Sequence, residues 1–119
     1  MDTNILTSNG IDINKGLELL GDMEMYNMTM EDFSKELENK WSKLEQEKLQ
    51  NDMENYAIDV HSLKSDCKYL GFMKLADVAY QHELKSKEND STFVNEHFQE
   101  LELEYNKVLE IVKNYISEN

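Results

Sequence analysis

After Gly21 the chain carries one glycine, Gly71, and it carries no proline anywhere. Such sparse backbone punctuation leaves little to interrupt a helix once it has started. Leu, Lys, Glu and Met are abundant, and all four are good helix formers. An all-α fold is therefore expected. The chain has 119 residues, and 39% of them are hydrophobic. That is enough apolar side chain for one core and one domain spanning 1–119.

Hydrophobic spacing places the helices. Residues 1–12 hold few apolar positions and are expected to form a flexible arm. Asp12 can cap a short helix from Ile13 to Leu20, with Gly21 as its stop. A long helix should follow from about Met23 to Leu49. Its seam of Tyr26, Met30, Phe33, Leu37, Trp41 and Leu44 advances in steps of three and four. Its opposite face, with Lys35, Glu38, Asn39, Lys43 and Gln46, is expected to be solvated. Asn51 or Asp52 can cap a helix from Met53 to about Leu70. The seam of that helix is Met53, Tyr56, Val60, Leu63, Cys67 and Leu70. Gly71 should end it. The next helix is expected from Met73 to about Lys85, with Phe72, Leu75, Ala76, Ala79 and Leu84 facing inward. Ser86 to Thr92 should be a polar loop, with Ser91 or Thr92 capping a final helix that reaches Ile116. These elements pack best as an antiparallel up-down four-helix bundle with a short additional N-terminal helix.

Charge and missing motifs remove several functions. Twenty-five acidic and 12 basic residues give a net charge of −13, which repels nucleic acid and anionic membranes. No apolar stretch approaches the ~20 residues needed to span a bilayer. Cys67 stands alone, so neither an internal disulfide nor a cysteine zinc site is expected. A lone thiol without a secretory leader fits the cytoplasm. There is no glycine-rich phosphate loop, no G-x-S-x-G elbow and no H-E-x-x-H. None of the histidines stands in a Glu-x-x-His, so a di-iron bundle is not supported and no metal or cofactor is expected.

Three histidines remain. His97 lies beside the seam of the last helix and reads as structural or surface. His82 follows Phe72, Leu75 and Ala79 at helical spacing and reads as a satisfied histidine at the core edge. His61 differs, because it sits one residue past Val60 and so points to the rim. Ala57, Lys64, Ser65 and Lys68 lie at offsets −4, +3, +4 and +7 on the same ridge. Two ammonium groups and two small residues thus flank the ring. Taken alone, the ridge is explained slightly better by a chance grouping of surface residues. Its chemistry nevertheless suits phosphoryl transfer. An ordinary imidazole is largely neutral and nucleophilic near pH 7. Lys64, one turn on, can stabilise charge on the transferring group.

The segment Asp52 to Gly71, DMENYAIDVHSLKSDCKYLG, resembles the histidine-containing phosphotransfer (HPt) domain family. The family pattern is a helix bearing H-x-L-K-G and then a glycine several residues on. His61, Leu63, Lys64 and Gly71 match it, and Asp52 is typical of that helix's start. Gly10-Ile11-Asp12, Gly16-Leu17, Leu20-Gly21-Asp22, Tyr26 and Phe33 look like the family's N-terminal half, so the resemblance covers about residues 10 to 85. Ser65 stands where the family usually has glycine, which bears on transfer rate or partner choice. Lys68 is a basic residue tolerated nearby.

The resemblance implies a phosphocarrier without kinase activity of its own, working in a multistep two-component phosphorelay. His61 would exchange a phosphoryl group with aspartates of response-regulator receiver domains, and Lys64 would stabilise its charge. Ala57, Ser65 and Lys68 would face the partner. A hybrid sensor histidine kinase is the expected upstream partner, and a monomer is expected. Two other readings stay open: a helical-bundle binding or adaptor module that is never phosphorylated, and an unrelated bundle in which H-x-L-K is coincidence.

Overall fold

The computed structural model describes residues 1–117. The fold is all-α, with six helices and no strand among the described residues: α1 (Thr3–Ser8), α2 (Ile13–Leu20), α3 (Met23–Leu49), α4 (Met53–Leu70), α5 (Met73–Lys87) and α6 (Ser91–Ser117). None of these helices is long and apolar enough to cross a membrane. Helices α3 and α6 each have 27 residues. With a rise of about 1.5 Å per residue, each spans about 40 Å. That length accounts for the long axis of 41 Å.

Aspartate starts most of the helices. The Asn4, Lys15, Met25, Asn55 and Phe93 backbone N–H groups donate to the carboxylates of Asp2, Asp12, Asp22, Asp52 and Asp90. Each such cap contributes about 1 kcal/mol relative to alanine. Asp90 thus starts α6, in place of Ser91 or Thr92. Ser86 is not in a loop either. It is buried within α5, which runs on to Lys87, and its hydroxyl donates to the carbonyls of His82 and Glu83.

Residues 1–12 do not form a loose arm. Asp2 caps α1, and α1 packs on α6 with Leu6 completely buried. One well-seated leucine and a short cap suffice despite the low apolar count. Leu84 also departs from the seam expected of it. It is 38% exposed, because the inward positions one turn beyond Ala79 are taken by the polar residues His82, Glu83 and Ser86.

Helix α3 packs on α4, α4 on α5, α5 on α6, and α6 back on α3, while α2 covers α3 and α4. Trp41 of α3 stacks on Tyr105 of α6 with ring centroids 4.2 Å apart, and Phe98 closes on its other side at 5.1 Å, offset contacts that aromatic rings favour. The short helix α2 is held where α4 turns into α5. Asp12 N–H donates to the Gly71 carbonyl at 3.1 Å, and the Tyr26 hydroxyl donates to the Leu70 carbonyl at 2.7 Å. At Gly71 the backbone is left-handed, with φ of +87°, and Phe72 N–H closes the helix end on the Cys67 carbonyl, as glycine-terminated helices commonly do.

Candidate functional site

The Gly71 turn folds α5 back along α4. His61 lies ten residues before that turn and Glu83 twelve after it, so they meet across the helix pair. Their separation is 2.8 Å, from His61 Nδ1 to Glu83 Oε2. The His61 ring is 55% exposed, whereas the Glu83 side chain is 3% exposed. One group is open to a partner and the other is locked beneath it.

Glu83 is surrounded by cations. Lys64 Nζ lies 2.6 Å from Oε1, and Lys87 Nζ lies 2.7 Å from Oε2. Burial pushes the Glu83 carboxyl up, but hydrogen bonds from Lys64, Lys87 and His61 outweigh it and hold the group down to about 2. Glu83 is therefore ionised at neutral pH and only accepts hydrogen bonds. That fixes the tautomer of the neutral ring: Nδ1 carries the proton and donates it, and the lone pair is on Nε2. Lys64 is itself only 12% exposed and lies over the Tyr80 ring, 4.9 Å from its centroid. A planar, half-exposed tyrosine and a buried carboxylate thus hold its ammonium close to the imidazole.

The residues read from the ridge separate into two groups. Ala57 lines an apolar groove of about 600 Å³ beside His61, together with Met53, Ile58 and Lys87. Ser65 and Lys68 line a different hollow of about 220 Å³ with Leu19 and Tyr69. The second ammonium near the imidazole's carboxylate is Lys87 of α5, a residue the ridge does not contain. Among the described residues no cluster suited to holding a metal ion is present.

His82 serves the framework behind this site. It is 1% exposed, and its Nδ1 accepts from the Tyr56 hydroxyl at 2.9 Å while Nε2–H faces the His97 carbonyl at 3.2 Å. Both ring nitrogens are satisfied in the neutral form. Burial pulls its pKa down to about 4. The unfolded chain then binds the proton more readily than the folded chain between about pH 6.5 and pH 4, so folding loses stability as pH falls through that window. A His82→Gln variant should therefore gain roughly 3 kcal/mol relative to the parent between those limits. Urea denaturation of both proteins at several pH values measures it. His97 is more open, with Nδ1 3.2 Å from the Glu100 carboxylate and its ring stacked on Phe93.

A family model described as the Hpt domain matches residues 28–111 of the chain. No curated protein and no solved structure matches it.

Proposed function

Since the chain belongs to the Hpt domain family, and so has a phosphotransfer role in two-component phosphorelays, we propose that His61 is the residue that takes up and gives back the phosphoryl group. The observation that carries this is the Glu83 hydrogen bond, which leaves Nε2 as the nucleophile on an exposed ring. Nε2 attacks the phosphorus of a receiver's aspartyl phosphate. The N–P bond forms, the acyl P–O bond breaks, and the receiver's aspartate departs as a carboxylate. No proton has to leave His61, because Nδ1–H stays on the ring. The positive charge that develops there faces the ionised Glu83. Lys64 and Lys87 pair with the same carboxylate, and their charge would offset that on the phosphoryl oxygens. The step is reversible, so His61 can pass the group to a second receiver aspartate.

The relay is multistep in this reading. Receiver domains dock over His61 and the groove that Ala57 lines, with Ser65 and Lys68 contacting them on the other side. A hybrid sensor histidine kinase supplies the pathway. The chain has no kinase activity, takes no cofactor, works as a monomer in the cytoplasm and binds neither nucleic acid nor membrane. Its net charge of −13 supports the last point. The closed packing ring of α3 to α6 and the short joins between them support an antiparallel up-down bundle over the whole chain.

The test is transfer from a phosphorylated receiver domain. His61→Gln should accept no label, and Lys64→Ala should accept it on the order of tenfold to 100-fold more slowly with unchanged helix content. Full labelling of His61→Gln overturns the assignment. A parent protein that binds the receiver but takes no label is a binding module instead.

A further inference from the structure

A second buried carboxylate lies away from His61, on the other face of α4. Glu47, in the last turns of α3, is 6% exposed, and its Oε1 has no hydrogen-bond partner. Across the interface it faces the side chain of Asp59 on α4. Asp59 Oδ2 is likewise buried without a hydrogen-bond partner, and its cation, Lys43, stands 3.4 Å away on a side chain that is 67% exposed. Two carboxylates cannot hydrogen-bond each other unless one carries a proton. A buried anion beside a half-buried one, with one exposed lysine held by Asp59, would also be poorly compensated.

We propose that Glu47 and Asp59 share one proton across the α3–α4 interface and act as a latch that alkaline conditions release. The groups facing Glu47 are Lys43 on α3, Asp52 at the joint, and Asp59 and Tyr56 on α4. From α5, His82 reaches it only through the Tyr56 hydroxyl. From α6, the apolar Phe98 packs against Trp41 and Lys48, and Tyr105, whose phenol burial and then Glu38 and Glu45 push up, stacks on Trp41. Burial first, then Asp59, pushes the Glu47 carboxyl up to about 8. The folded state therefore binds the proton better than the unfolded state above the ordinary carboxylate range. Its stability is present below that range and falls as pH rises towards about 8. His82 acts in the opposite direction, but only below about pH 6.5. Burial also pushes the Cys67 thiol up, so Cys67 too removes stability towards about pH 9, and the comparison of parent with Glu47→Gln cancels that contribution. Loss of the proton leaves two adjacent charges at the α3–α4 corner, where Asn51 already holds a left-handed turn with φ of +58°. The corner continues into Met53, which lines the groove beside His61.

Carboxyl-carbon NMR titration of the whole chain, with urea denaturation of the parent and Glu47→Gln at about pH 6.5 and about pH 9, tests the latch. The Glu47 carboxyl should titrate well above the other carboxyls, and Asp59→Asn should bring it down. The folding constant of Glu47→Gln relative to the parent should rise by roughly tenfold or more across the window. Amide protection over residues 47–57, taken relative to the intrinsic base-catalysed exchange rate at each pH, should fall in the parent and not in the variant. Titration of Glu47 together with the bulk carboxyls, or a stability ratio constant within about twofold, overturns the proposal. Should Glu47→Gln fail to fold, the titration of the parent decides alone. None of these readings depends on whether His61 accepts phosphate.

Discussion

Glu83→Ala should slow phosphoryl transfer to His61 on the order of 100-fold while receiver binding changes little. The carboxylate does three things at once. It holds the proton on Nδ1, faces the charge that forms on the ring, and anchors Lys64 and Lys87. Removing it frees the ring to rotate and to exchange tautomers, so Nε2 is no longer the only nitrogen presented. It also strands Lys64, whose side chain is 12% exposed, without its anion. Truncating one partner of a buried ion pair in this way should lower stability by about 3 kcal/mol. Glu83→Gln separates the contributions. Its amide oxygen still accepts from Nδ1–H, but it no longer neutralises the lysines. Transfer should therefore fall less than in the alanine variant if ring orientation dominates, and equally if charge dominates. Single-turnover transfer rates and urea denaturation of the two variants measure both effects.

Gly71→Ala should lower stability by about 3 kcal/mol, with a fall in Tm of about 10 °C. Two penalties add at this position. The backbone has φ of +87°, and an L side chain in that region is strained by roughly 1–2 kcal/mol. The new Cβ would also collide with the backbone carbonyl of Asp12, which has no freedom to withdraw because the Asp12 N–H is bonded to the Gly71 carbonyl. Gly21→Ala is the control. It has φ of +96° but open space around the added carbon. It should lose stability through backbone strain alone, with no collision. Thermal unfolding of the two variants distinguishes collision from strain. The contrast also gives a physical reason for a glycine after the H-x-L-K helix: it lets α2 seat on the turn that brings α5 against α4.

The periodic seams carry most of the architecture. The bounds of α2, α3 and α4 follow from spacing, from Asp12 and Asp52, and from Gly21 and Gly71. The seam of α6 is buried from Val94 to Tyr115. Features that depend on contacts between distant helices are not legible in this way. Glu83 sits on a chain that is 31% charged, so one more glutamate carries no signal. Only the return of α5 along α4 puts it under His61. Lys87 falls within a stretch that reads as loop, because a polar Ser86 that is buried by bonding its hydroxyl to α5 carbonyls is invisible to a count of apolar residues. Glu47 has the same disguise on α3, next to the solvated face of Lys43 and Gln46. It faces Tyr56 and Asp59 of the facing helix instead of solvent. Helix α1 escapes the periodicity because one deeply seated side chain, Leu6, outweighs a polar sequence around it.

Everything proposed for His61 depends on one nitrogen atom. Phosphorus–nitrogen NMR of the chain, labelled in its histidine rings and phosphorylated by a receiver domain, reads that atom directly. The geometry predicts a single acid-labile phosphate on Nε2 of His61, with Nδ1 still protonated and bonded to Glu83. Phosphate on Nδ1, on His82 or His97, or on no histidine at all would contradict it.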